Sequence, residues 1–273
     1  RRHTRCSRDW SSDVCSSDLA EYTAELSPAI LETIAKKAKV MAISEKTTLT
    51  REVLFKSFEQ TVIGMSNREN TIELHKTRKT VAEHELGHFF VQLHFSLEDN
   101  NQDVEKAFDA MNLLKISTES ISKVGALGYV LSKQQDDKLF SRQALERDIM
   151  KLYGGVAAEE ILHGQPGIST GSSDDIEKAT KLLTTMVSRL SMYSHTKINY
   201  SLLAQEDLAK DKTLKEIEDL AESLYLRTLH IVESHKDDII KLTPILLDKF
   251  VISKQEIKQE YLNLHQKEIN NVI

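Results

Sequence analysis

Two histidines four residues apart, His84 and His88, bracket Glu85 in an HExxH pattern within the run VAEHELGH at residues 81–88. On an α-helix, positions i and i+4 lie one turn apart on the same face, so two imidazoles can converge on one metal ion. Glu85 is then near enough to take a proton from a water that such a metal activates. The flanks support a helix, because Val81, His84, His88, Val91 and Phe95 form one stripe at helical spacing. A glycine inside a helix costs about 1 kcal/mol relative to alanine, so Gly87 predicts close packing or a need for space beside the site. The competing reading is a pair of ordinary surface or core histidines.

Two imidazoles do not complete a zinc site, which in catalytic form takes three protein ligands and keeps one position open. His94 stands where a longer HExxHxxGxxH pattern would end, but Val91 replaces the glycine at which that chain turns. On a continuing helix His94 points away from His84 and His88, as a polar residue near a helix end. The acidic candidates are Glu159, Glu160, Asp174 and Asp175. Asp174 shares its helical face with Lys178 and Lys181, as a solvated charge does. Asp175 shares its face with Ala179 and Leu182, toward the core, where a carboxylate needs a compensating partner such as a metal. Glu159 lies seven residues after Leu152 and also faces inward, whereas Glu160 is less well aligned. Spacing therefore favours Asp175 and keeps Glu159 open. The alternative for Asp175 is a helix N-terminal acid satisfied by backbone N–H groups.

These residues need elements to hold them. Ser27-Pro28 opens a helix to about residue 43, with serine as N-cap and proline in the first turn. A second helix follows Thr50 and stops at Gly64. Two helices of this size cannot bury a core alone and read as the tail of a larger helical module. Residues 65–76 are polar and read as a linker; the metal helix is predicted over 77–95, a polar stretch over 96–103 and a short helix over 104–111. Residues 113–118 and 126–132 are the strand candidates. Ser141 caps a helix to about 162, interrupted at Gly154-Gly155, and a loop over 163–173 leads to a helix over 174–192. Thr213 with Glu216, and Ser253 with Glu256, read as capping boxes that open further helices. No glycine occurs after Gly171, so the final third is expected to be almost wholly helical.

The chain has 273 residues, a formal charge of −6, 40% hydrophobic and 29% charged residues, an ordinary balance for a soluble globular protein. No basic run argues for nucleic acid, and no apolar run is long enough to cross a bilayer. Residues 1–19 (RRHTRCSRDWSSDVCSSDL) lack periodicity and hold both cysteines and the only tryptophan. Their back-translation resembles the constant parts of an indexed sequencing-library adapter, so they are set aside from fold reasoning. Without their four arginines and three aspartates the charge is −7. Cys6 and Cys15 go with them, leaving no thiolate ligand for a metal. On this reading the protein begins upstream of Ala20.

HELGH (84–88), GALGYVL (125–131), GGVAAEEILHG (154–164) and STGSSDDIEKAT (169–180) follow one another in the order found in the FtsH family of membrane-anchored AAA+ zinc proteases. The chain resembles the peptidase domain of that family from about Ser27 to its last helix. The resemblance implies a mainly α fold, a helical zincin-like peptidase domain with a small β-hairpin or short sheet beside the metal helix. It implies a zinc endopeptidase in which His84, His88 and Asp175 hold Zn2+, Glu85 is the catalytic base, and Glu159 is an acid beside the metal site. It divides the chain into the C-terminal part of an AAA lid (20–64), a linker (65–76), the peptidase domain (77–266) and a tail (267–273). ATP and Mg2+ would bind only in an upstream module, since no GxxxxGK[ST] occurs here. The implied whole protein is an ATP-driven homo-hexamer degrading membrane and unfolded proteins, with polypeptides and not nucleic acid as partners. It would be membrane-associated through an N-terminal segment, its protease domain in the cytoplasm and this fragment itself soluble. Two departures bear on substrate access and range. About a dozen extra residues lie around 100–109, and HELGHFF carries bulkier residues than the family's HEAGHA. The alternative function is a catalytically silent scaffold of the same fold for assembly or substrate presentation. Such a protein would be free to lose the histidines, Glu85 or the acidic ligand, and all are present.

Overall fold

The capping signals before residue 64 produce the helices they predict. In the computed structural model, which describes residues 23, 26–62, 66–67, 72–121, 128–132, 139–194, 196–202 and 207–271, α1 spans Pro28–Ser44 and α2 spans Arg51–Val62. Ser27 Oγ accepts the Ile30 N–H at 3.4 Å. Ser57 Oγ donates to the Ile34 carbonyl at 2.7 Å, and Ala38, Ala42 and Val53 form a small core. Val40 and Ile43 stay 64% and 78% exposed. This pair belongs to one compact unit, which ends at Met65; a second begins at Ser66. Segment 1–19 and the first two residues of the predicted 126–132 strand lie outside the described residues.

In the second unit the metal helix, α3 (Ile72–Asp99), runs longer at both ends than predicted. Residues 72–76 and 96–99 are mostly polar, but they hold no glycine or proline to break a helix, and Leu97 still reaches the core. The helix stops where Asn101 and Gln102 take left-handed conformations, φ 52° and 62°. Then come α4 (Val104–Ala110), β2 (Leu113–Ser117), β4 (Tyr129–Ser132) and α5 (Arg142–His163). Two short strands, β1 (Ser66–Asn67) and β3 (Ser120–Ile121), pair antiparallel. Helix α5 is capped by Ser141, whose Oγ accepts the Ala144 N–H at 3.1 Å. It passes unbroken through Gly154-Gly155, contrary to the predicted interruption. Those glycines serve packing, as shown below.

Helix α6 (Ser173–Thr184) gives way to a π-helical turn, Thr185–Arg189, so it ends before the predicted 192. Helix α7 (Asp207–Ser234) begins ahead of Thr213 and Glu216, which therefore lie inside it and do not open it. A helix entered through polar residues carries no apolar stripe by which its start can be read. Helix α8 (Lys236–Lys249), β5 (Val251–Ser253) and α9 (Lys254–Asn271) complete the chain. The capping box at α9 forms reciprocally: Glu256 Oε2 accepts the Ser253 N–H at 2.9 Å, and Ser253 Oγ accepts the Glu256 N–H at 3.3 Å. The final third is mostly helical, as expected, with the short strand β5 set into it. The strand's three residues are too few for alternation to be legible.

The fold is thus mainly α with a three-stranded antiparallel sheet of order β4-β2-β5, as the sequence implies. Helix α3 forms its axis, with Leu86, Phe89, Phe90 and Leu93 fully buried, each contributing roughly 1.5–3 kcal/mol by leaving water. The extra segment around 100–109 packs against α3. It folds α4 back along α3, seats the fully buried Phe108 against Phe89 and Tyr261, and is gripped from α9 by Lys254 and Lys258. Phe89 stands about 100° around the helix from His88, and through Phe108 the insertion adds to the core on that side.

Candidate metal centre

Helix α3 crosses α5 through two glycines in mutual contact. A Cβ on Gly87 would lie 2.2 Å from the Gly154 carbonyl oxygen, and one on Gly154 would lie 2.7 Å from that of Gly87. Backbones that close bring side chains one turn away within direct reach. Gly155 completes the cradle, since a Cβ there would sit 2.3 Å from Nε2 of His84. The packing expected of Gly87 is therefore present, and its partner is the glycine pair of α5.

The crossing fixes both imidazoles through their Nδ1 atoms. His88 Nδ1–H donates to the Lys151 carbonyl at 2.6 Å; a carbonyl can only accept, so the proton is on Nδ1. His84 Nδ1–H donates to Glu159 Oε1 at 2.7 Å. Glu159 is itself held by Ser169, whose backbone N–H donates to Oε2 at 2.5 Å and whose hydroxyl donates to Oε1 at 3.1 Å. With both Nδ1 protons committed, the Nε2 lone pairs face inward, the arrangement that metal-binding histidines show.

Asp175, in the first turn of α6, brings the third donor. Its Oδ2 lies 3.3 Å from His84 Nε2 and 3.2 Å from His88 Nε2, and the two Nε2 atoms are 3.0 Å apart. Donors bound at about 2.0–2.1 Å to one tetrahedral zinc stand about 3.3 Å from each other, so the observed triangle fits a single ion. Three acceptors this close repel one another unless a cation lies among them. Among the described residues, His84, His88 and Asp175 are the one such group.

The same convergence favours positive charge. Burial works against a charge on His84, but hydrogen bonds to Asp175 and Glu159 and the nearby Glu85 outweigh it and push its pKa up to about 10, so a metal would take the place of a proton on Nε2. Burial likewise opposes the ionisation of Asp175, and its hydrogen bonds to the two histidines hold the carboxyl well below its usual range. Glu159 is held below its ordinary value against its burial by His84 and Ser169. Glu85, 7% exposed, behaves oppositely: burial pushes its carboxyl up, and the histidines only partly offset this. Glu85 faces Gly128 at the start of β4, where a Cβ would come within 3.0 Å of Glu85 Oε1 and 2.4 Å of Val81 Cγ1.

The other candidates fall elsewhere. Asp174 is 74% exposed in its side chain and pairs with Lys178 at 2.5 Å, the solvated role expected of it. Glu160 accepts from the Tyr225 hydroxyl. His94 stays on α3 beside Glu98 and His235. It lines a groove of about 510 Å3 with Glu146, Arg147, Arg227 and His230, and none of His84, Glu85, His88 or Asp175 borders that groove. Sequence reasoning missed the Lys151 carbonyl, Ser169 and Gly128. A carbonyl leaves no trace in residue type. The serine and the glycine stand inside motifs already recognised, which is the signal that could have found them.

The profile of peptidase family M41 matches residues 71–259, which enclose all of these groups. The ATP-dependent zinc metalloprotease FtsH 2 of Thermoanaerobacter sp. (strain X514) is 27% identical over 260 residues, covering 94% of this chain and 46% of that protein. The ATP-dependent zinc metalloprotease FtsH of Mycoplasma pneumoniae is 28% identical over 273 residues, covering 95% of this chain and 36% of its own length. The homologue of the same name from Mycoplasma genitalium is 28% identical over 262 residues, 92% of this chain and 35% of that one. This chain therefore spans less than half the length of these relatives, and no described helix is long and apolar enough to cross a membrane. Zinc is the metal these relatives imply, and the His84, His88 and Asp175 group could hold it. A matching family profile across most of the chain, joined to this donor set, places the chain in peptidase family M41, as the peptidase domain of an FtsH-type zinc metalloprotease.

Proposed function

We propose that the chain hydrolyses peptide bonds with zinc held by His84, His88 and Asp175, as the proteolytic part of an ATP-dependent protease. The convergence of three potential metal-donor atoms within 3.0–3.3 Å carries this reading. His84, His88 and Asp175 would hold the zinc, which would supply Lewis acidity to polarise a carbonyl and bring the pKa of a water toward about 7. Glu85 then accepts the water proton and passes it to the leaving amine; its burial suits it to hold that proton between the two steps. Glu159 orients His84 and strengthens it as a donor. Substrate lies extended along the edge of β4, which pairs with β2 alone among the described residues. Pairing there runs main chain against main chain next to Gly128 and Glu85.

The printed names of the relatives support a larger whole. Its ATPase module lies upstream and residues 20–64 end the lid of that module. The linker is 65–76, the peptidase domain 77–266 and the tail 267–273. The complete protein is a membrane-anchored hexamer with its protease domain in the cytoplasm, and it degrades membrane and unfolded proteins. Glu85→Gln tests the chemistry: with casein as substrate, cleavage falls about 100- to 10,000-fold while one zinc per chain is retained. Undiminished turnover in this variant rules out Glu85 as the base.

A further inference from the structure

Beside the His84–Glu159 contact the same two helices make a second one, with the residue types exchanged. Glu83, directly before His84 on α3, is buried, and its Oε2 lies 2.7 Å from Nε2 of His163 on α5. Its other oxygen lies 3.6 Å from Lys79 Nζ. His163 follows Glu159 by one helical turn, so an acid–histidine pair on α3 meets an acid–histidine pair on α5. A carboxylate this buried, next to a metal-site histidine, loses hydration that its partners must replace. A leucine at position 83 would fill the space without that cost, so the position is not explained by packing alone.

His163 is also the last residue of α5, and the chain that leads to Asp175 turns on it. Gly164 reverses direction with φ 72°. Gly167 then returns so close to His163 that a Cβ there would lie 2.3 Å from the His163 Cβ. Two residues later Ser169 binds Glu159, and α6 begins at Ser173. The loop carrying the third donor is thus seated at two levels of α5. One is held to α3 through Glu159 and His84, the other through His163 and Glu83.

We infer that Glu83 and His163 are a positioning pair for the metal centre: neither touches the ion, and together they set where the loop delivers Asp175. This rests on the zinc reading proposed above. Its test is zinc affinity by competition with a chromophoric chelator, read beside the absorption spectrum of the cobalt-loaded protein and the thermal stability of the metal-free protein. Wild type binding one zinc and His84→Ala binding none sustains the zinc reading; no zinc on wild type removes that reading and this inference with it. Given zinc on wild type, Glu83→Ala is expected to weaken zinc 10- to 100-fold and to alter the cobalt bands. Glu83→Gln, which still accepts from His163, restores affinity to within a few-fold. His163→Ala, at a partly exposed helix end, gives the same loss as Glu83→Ala, and the double variant loses no more than either alone. Zinc affinity and cobalt spectrum unchanged within two-fold in His163→Ala overturn the inference even where Glu83→Ala fails to fold.

Discussion

Two faces of helix α3 are built on opposite principles. On one, Leu86, Phe89, Phe90 and Leu93 are fully buried among apolar neighbours from α4, α5, α8 and α9. On the other, His84 and Glu85 are also buried and His88 nearly so, each against named polar atoms or a glycine that leaves it room. The apolar face is redundant, since any one side chain shares its load with many. The polar face depends on a few specific atom pairs, so a single substitution disturbs the whole of it. The core should therefore lose stability in increments while the site loses function at once.

Phe108→Ala probes the apolar face most strongly. It should cost about 3–5 kcal/mol of unfolding free energy, read by urea denaturation of the metal-free protein, while zinc affinity of the folded fraction stays within two-fold. A large zinc defect would mean the two faces are coupled more tightly than their separation around the helix suggests. Gly155→Ala probes the polar face: the new methyl displaces His84 from Glu159, and zinc affinity should fall about 10- to 100-fold. Retained affinity would show that the cradle yields without moving the imidazole.

The smallest effect lies outside both faces. Ser253→Ala should cost about 1 kcal/mol as a lost N-cap. Its capping partner Glu256 is held below its ordinary 4.5 chiefly by the Ser253 backbone N–H and hydroxyl. A depressed folded pKa gives stability that is present above about 4.5 and lost as pH falls through the folded value. The gap between wild type and variant, followed by urea midpoint, should narrow below pH 4.5. A constant gap would assign the cost to the backbone cap alone.

What the sequence made legible follows the same division. The helical spacing of His84, Glu85 and His88 is local, and it survived folding unchanged. Asp175 is 87 residues from His88; its inward face was visible, but its meeting with the histidines is a tertiary fact that four ordered motifs could only imply. Gly154-Gly155 misled because glycine lowers helix propensity, while the close contact with Gly87 outweighs that cost. The start of α7 was missed for want of a stripe, and β5 because three residues show no period. The insertion's contribution to the core was not legible, because Phe108 looks like any apolar residue until Phe89 and Tyr261 are seen around it.

Two neighbouring aspartates offer the most direct test of the metal centre. Zinc titrated calorimetrically into wild type, Asp174→Ala and Asp175→Ala should give one site per chain in the first two with equal affinity. In Asp175→Ala, which lacks the third donor, the account predicts at least about 100-fold weaker binding, beyond the range typical of losing an outer partner. Equal affinity in all three proteins, or a loss confined to Asp174→Ala, would contradict it.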